Sequence, residues 1–261
     1  MDLRRYLQKT RYLRHPYLIK RALLLPLEVR DSKKHSLILN EYQRYLVSLE
    51  EGIEILTGIE KEVIIKLLKE LDGTGFLRHI KLCLRQVEHR GGSLDVDCGL
   101  LLYVLTRALK PKIIVETGVA NGSSSSFFLK GLEENGMGEL YSIDLHYREG
   151  ISSPPGKDLG WMIPEYLRHR WNLILGESTA VLPKLLNELE GIDIFFHDSR
   201  HTYKTMMKES KIVYPYLRRR GLLILDDVTL NDAFLDFANS VKQRPVIFFN
   251  RIGAIRKLDG F

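Results

Sequence analysis

Four side chains in the second half of the chain are spaced to do chemistry together: Asp198, His201, Asp226 and Asp227. Asp198 and His201 stand three apart in IDIFFHDSRH, and Asp226-Asp227 closes LLILDD. Each acidic group follows a strand-like stretch, Ile192 to Phe196 and the apolar run Leu222 to Leu225. In an open parallel α/β sheet such strand ends share one carboxyl edge, so the three carboxylates converge. Like charges brought together repel, and burying them unpaired is costly. A divalent cation resolves that conflict, and an oxygen-only donor set selects Mg²⁺, Ca²⁺ or Mn²⁺ over zinc. The plain alternative is that Asp226 and Asp227 only cap the next turn.

The element that must position a ligand beside these acids is KIIVETGVANGSSSS, Lys112 to Ser126. Ile113, Ile114 and Val115 read as a buried strand, and the run ends on Glu116 before Gly118, Asn121 and Gly122. Glycines there permit a tight turn and close approach of a ligand to the backbone. The serines and FFLKGLEE then open a helix, whose free N–H groups and dipole face the ligand. A dinucleotide fingerprint would need G-x-G-x-x-G, but the aligned residues are Gly118, Ala120 and Ser123. A second strand, Leu140 to Ile143, ends on Asp144, where an acid can accept hydrogen bonds from both hydroxyls of a ribose.

Glu116, Gly118, Ala120 and Gly122 resemble the first motif of class I S-adenosylmethionine-dependent methyltransferases, acidic-x-Gly-x-Gly/Ala-x-Gly. The resemblance implies a cofactor site that also takes in Asn121, Ser123 and Asp144, with Glu177 and Ser178, after the strand WNLIL, beside the adenine. HDSRHTY, the proline of YPYLRRRG, LILDDV and NDAF are similar to bacterial metal-dependent sugar and macrolide-glycoside O-methyltransferases and cephalosporin-hydroxylase-like proteins, over roughly Asp95 to Val246. In such enzymes an acid after the fourth strand and an acidic or amide pair after the fifth hold Mg²⁺; Asp198, Asp226 and Asp227 match these positions. The base lies three residues after the first acid, and His201 stands there. A histidine suits that role because it titrates near neutrality. Its plain alternative is a helix-start residue that binds only backbone.

Around these motifs the chain reads as alternating strands and helices. RPVIFFN and IGAIRKL form a closing hairpin about Asn250-Arg251. The expected fold is α/β: a Rossmann-like, doubly wound seven-stranded sheet with its last strand antiparallel and an N-terminal helical extension. The boundary is placed between residues 1–91 and 92–261. In the extension, IEKEVIIKLLKELDG offers an apolar face of Ile59, Val63, Leu67 and Leu71, stopped by Gly73. His79 and His89 lack partners at ligand spacing and read as ordinary histidines, as does His197, turned toward the other sheet face. The stretch GISSPPGKDLGWMIPEYLRHRW is too rich in Pro and Gly for a regular helix and reads as a functional loop beside the crevice. Trp161 either walls the crevice or anchors the loop. Asn231 and Asp232 are expected at the surface.

Hydrophobic residues at 44% and charged ones at 28% describe a folded, soluble domain. No apolar stretch nears the roughly 20 residues of a membrane span, and the start lacks a secretory pattern. Two cysteines without metal spacing suggest no disulfide scaffold, so the cytoplasm is expected. The charge is uneven: residues 1–34 carry ten basic side chains against three acidic ones, out of a chain total of +6. Interleaved tyrosines and leucines let this segment lie on an anionic membrane surface or pack on a partner subunit, as in a homo-oligomer; both stay open. Nucleic acid is not expected, since no binding motif accompanies the charge. The resulting expectation is a Mg²⁺-assisted, S-adenosylmethionine-dependent O-methyltransferase acting on a hydroxyl of a sugar or other hydroxylated small molecule. The alternatives are an adenosylmethionine-binding protein without metal or catalysis, and a nicotinamide-dependent oxidoreductase.

Overall fold

The computed structural model describes residues 38–87, 93–145, 154 and 156–258. The expectations placed on residues 1–34, His89 and Gly91-Gly92 lie outside them. Seven strands form one sheet: β1 (Ile113–Thr117), β2 (Glu139–Asp144), β3 (Trp171–Leu175), β4 (Ile192–His197), β5 (Leu217–Leu225), β6 (Val246–Phe248) and β7 (Ile252–Arg256). Their order across the sheet is β3-β2-β1-β4-β5-β7-β6. The first five pair in parallel, and β7 runs antiparallel to both β5 and β6. The direction of winding reverses between β1 and β4, and the carboxyl edge at such a switch point is where open α/β sheets bind ligands.

Both faces of the sheet are covered, which is why the central strands β1, β4 and β5 carry largely apolar runs. Alternate residues serve the two sides. Ile114, Ile194, Phe196, Leu222 and Ile224 join one core with helices α1 (Leu49–Thr57), α2 (Lys61–Lys69), α3 (Gly75–Gln86), α4 (Val96–Leu109) and α5 (Ser123–Asn135). Val115, Phe195, Leu223 and Leu225 join the other with α6 (Ser178–Leu189), α7 (Tyr203–Val213) and α8 (Ala233–Ser240). Period-2 alternation therefore decides which helix each strand-end side chain meets. On that count Glu116 faces α5, whereas Thr117 and His197 face α7.

Two readings of the sequence need correction here. In α2 the inward residue is Ile64, fully buried, whereas Val63 is 44% exposed; Leu67 and Leu71 are buried as expected. Strand β5 begins five residues earlier than its apolar run, through Leu217-Arg218-Arg219-Arg220, with Arg220 at φ 65° marking a kink.

Candidate active site

Strand β1 delivers the glycine turn to the switch point. Gly118 adopts φ +90°, and a Cβ there would lie 2.0 Å from the carbonyl oxygen of Asp198. Glycine is thus required both by conformation and by the close passage of the β4 end. Gly122, at φ +82°, starts α5, and a Cβ on it would meet the Cα of Gly160 at 2.7 Å. The loop holding Gly160 is bound onto the turn: Gly160 N–H donates to Ala120 O (2.9 Å), Met162 N–H to Asn121 O (3.0 Å) and Trp161 Nε1 to Asn121 Oδ1 (2.7 Å). Trp161 is therefore an anchor of this loop.

A cavity of about 360 Å³ opens over the turn, with Gly118, Ala120, Asp144, Glu177, Ser178, Asp198, His201 and Arg251 in its wall. Asp144 Oδ2 accepts from the N–H groups of Val119 (2.7 Å) and Ala120 (2.9 Å), so the acid at the end of β2 also closes the glycine turn. Glu177 caps α6 by accepting from Ala180 N–H at 3.1 Å. Asn121, Gly122 and Ser123 are buried behind the wall. Glu116 lies deeper still: fully buried, it accepts from Ser124 (3.1 Å), Ser142 (2.6 Å) and Ser125. Burial pushes its carboxyl up to about 7, the three hydroxyls only partly opposing it.

The acids do converge. Asp198 N–H donates to Thr117 O and Asp226 N–H to His197 O, each at 2.8 Å, so both continue the sheet ladder at its carboxyl edge. His201 precedes α7, its carbonyl held by Asn231 Nδ2 at 3.1 Å. Its Nε2 lies 3.3 Å from Asp198 Oδ1 and 3.7 Å from Asp227 Oδ2. Asp198, His201 and Asp226 each offer one ligand atom, all within 4.8 Å of one another. Burial and the neighbouring charge of Asp226 push Asp198 up to about 7. Burial opposes a charge on His201, yet Asp198 and Asp227 raise its pKa above the usual imidazole value.

Arg251 was not expected in this place. The hairpin turn between β6 and β7, with Phe249 and Asn250 both at positive φ, carries it over the strand ends. Its Nε and Nη2 each lie 2.6 Å from an oxygen of Asp226, and Nε is 3.5 Å from Asp227 Oδ1. Burial would raise the Asp226 carboxyl, but the guanidinium outweighs it and holds the acid down at about 2. The signal available in the sequence was a single Arg at the hairpin tip, which pairs with Asp226 only once the β5–β7 register is known. Asn231, expected at the surface, is instead half-buried, its amide also accepting from Ala233 N–H at 3.0 Å.

Residues 115–228, which span the glycine turn, the convergent acids and His201, match the family model of a methyltransferase domain. The chain has the Rossmann-like fold of class I methyltransferases. No curated protein sequence matches the chain. Among solved structures, the chain is similar to the O-methyltransferase TomG from Streptomyces achromogenes, involved in tomaymycin synthesis and solved with S-adenosylmethionine. The two share 15% identity at TM-score 0.56, covering 76% of this chain and 96% of that one. An O-methyltransferase from Bacillus cereus, solved with S-adenosylhomocysteine, gives 16% identity and TM-score 0.55 over 78% of this chain and all of that one. The methyltransferase PaMTH1 from Podospora anserina, also with S-adenosylhomocysteine, gives 16% and 0.55 over 76% and 94%. At these identities the likeness establishes the fold, which is the Rossmann-like one expected. No helix among the described residues is long and apolar enough to cross a membrane.

Proposed function

We propose that this methyltransferase uses S-adenosylmethionine to methylate a hydroxyl of a sugar or another hydroxylated small molecule, assisted by a hard divalent cation. The observation that carries the reading is the juxtaposition, in one cavity wall, of the glycine turn with Asp198, His201 and Asp226-Asp227. The carboxylates fit Mg²⁺ in kind, and Asp198 and Asp226 offer oxygens within 4.8 Å of one another, with His201 beside them. Asp198, Asp226 and Asp227 are the ligands in this proposal, with Arg251 sharing Asp226.

S-adenosylmethionine supplies an already activated methyl group, and a cation on the acceptor hydroxyl lowers that hydroxyl's pKa. The chain's own residues do the rest. Gly118 and Ala120 let the cofactor approach the backbone, and Asp144 accepts from the ribose hydroxyls. Glu177 and Ser178 flank the adenine. His201 takes the acceptor's proton at Nε2, the nitrogen that faces Asp198 and Asp227. The wall holds the nucleophilic oxygen in line with the methyl group, a positioning effect that can remove several kcal/mol from a barrier.

The bidentate Arg251 favours a second reading, in which its fixed guanidinium balances the acids without a metal. Isothermal titration of S-adenosylmethionine and S-adenosylhomocysteine, with and without Mg²⁺, followed by an acceptor screen of sugars and polyols, tests both. Absence of binding by either compound would sink the assignment. Binding and turnover indifferent to chelator would select the second reading.

We also keep, as proposals, a cytoplasmic location, a division near residue 91, and a role for residues 1–34 in contact with an anionic membrane or a second copy. Their basic charge supports this last assignment.

A further inference from the structure

Beneath the cavity floor lies a carboxylate that the proposed reaction does not use. Glu209, on α7, is fully buried and collects four polar groups, two on each oxygen. Oε2 accepts from Thr117 Oγ1 at 2.7 Å and sits 2.7 Å from His197 Nδ1. Oε1 accepts from Ser199 Oγ at 2.9 Å and from Ser178 Oγ. These partners come from four separate stretches: the last residue of β1, the last residue of β4, the turn after β4 and the first residue of α6. Thr117 immediately precedes Gly118, and its carbonyl receives Asp198 N–H at 2.8 Å. Ser178 and Ser199 themselves stand in the cavity wall.

We infer that Glu209 is a positioning residue for the cofactor: from below, it sets the spacing between the glycine turn, the α6 start and the Asp198 turn, and so fixes the shape of the cavity floor. A neutral amide offers one acceptor oxygen in place of two, and its NH₂ side would require two of the four partners to turn from donor to acceptor. Although burial opposes ionisation, His197 and the hydroxyls keep Glu209 below the usual carboxylate range, so it is an acceptor throughout the neutral region. The inference rests on reading the cavity as the adenosylmethionine site.

The test is isothermal titration of S-adenosylhomocysteine into the full chain and its variants, with thermal melts alongside. Glu209→Gln is expected to weaken binding about tenfold, the scale of one lost charged hydrogen bond. Glu70→Gln is the matched control. Glu70 also gathers several donors, Tyr103 Oη at 2.6 Å and Arg107 Nε at 2.9 Å and Nη2 at 3.1 Å, but lies outside the cavity wall. It is expected to lower the melting temperature with unchanged affinity. Ser178→Ala is expected to weaken binding in the wild-type background and to add nothing to Glu209→Gln, the non-additivity of a shared network. Wild-type affinity in a folded Glu209→Gln protein, or equal weakening by Glu70→Gln, overturns the inference. If Glu209→Gln does not fold, Thr117→Val carries the test, since Thr117 bonds Glu209 from outside the cavity wall: about threefold weaker binding supports the inference, and unchanged binding overturns it. A wild-type protein that binds no S-adenosylhomocysteine overturns the cofactor reading itself, a result distinct from either.

Discussion

Arg251 and Asp226 meet through two parallel bonds of 2.6 Å each, joining the β6–β7 hairpin to the end of β5. Asp226 is fully buried and Arg251 largely so. Removing only the cation leaves an uncompensated charge in the interior, whereas removing both partners leaves a neutral site.

Arg251→Met is therefore expected to cost about 3–5 kcal/mol of stability, and the Asp226→Asn, Arg251→Met double variant to recover most of it. Denaturant unfolding at neutral pH measures both. The sign with pH follows from the depressed acid. Its contribution is complete above its ordinary value of 3.8 and is lost only as pH falls through about 2. The ion pair should add no slope between pH 5 and 8.

Glu116 has the opposite linkage. Its folded value is raised from 4.5 to about 7, so its contribution to stability is complete below 4.5 and fades as pH climbs through 7. Asp198 has the same sign, which makes the comparison with a variant necessary. Glu116→Gln should flatten the loss of stability between pH 5 and 8 by up to about 3 kcal/mol, from 1.36 kcal/mol per pKa unit. Denaturant unfolding at several pH values gives the slopes, and parallel slopes for the two proteins would refute this linkage.

His201→Ala should separate chemistry from cofactor capture. Methyl transfer in single-turnover conditions is expected to fall about 10²–10⁴-fold, the usual contribution of a positioned base, with S-adenosylhomocysteine affinity little changed. Asp198→Asn should abolish Mn²⁺ binding, read by titration calorimetry without any acceptor present. Unaltered Mn²⁺ affinity would remove Asp198 from the proposed ligand set.

Gly118→Ala tests how closely the glycine turn and the β4 end are coupled. The added methyl collides with backbone, not with a side chain that could swing away, and it enters at positive φ. A loss of roughly 2 kcal/mol or more is expected, within the range for a strained non-glycine residue and seen as a lowered melting temperature. A variant as stable as the wild type would show that the two segments can separate.

The strands were legible because they are buried on both faces, so Ile113–Val115 and Leu222–Leu225 carry no polar interruption and Ile192–Phe196 carries only Asp193. The convergence of Asp198, Asp226 and Asp227 was legible for the same reason, since parallel topology places all strand ends on one edge. What stayed hidden depends on contacts between distant segments. Arg218, Arg219 and Arg220 follow the first residue of β5, and their strand conformation comes from pairing, not from propensity. Arg251 finds Asp226 through a hairpin register, and Glu209 finds Thr117 across 92 positions of sequence. Val63 and Ile64 are adjacent and both apolar, so periodicity alone could not decide which one faces inward.

The loop bonds from Gly160, Trp161 and Met162 to the Ala120-Asn121 segment act as a splint on the glycine turn. A glycine-rich segment left to itself samples many backbone states, and a ligand that selects one of them loses affinity by the fraction of time that state is populated. Here folding performs the selection beforehand. Cutting the splint, as Trp161→Phe would do at one of its three bonds, should surface as slower, weaker ligand capture before it surfaces as unfolding.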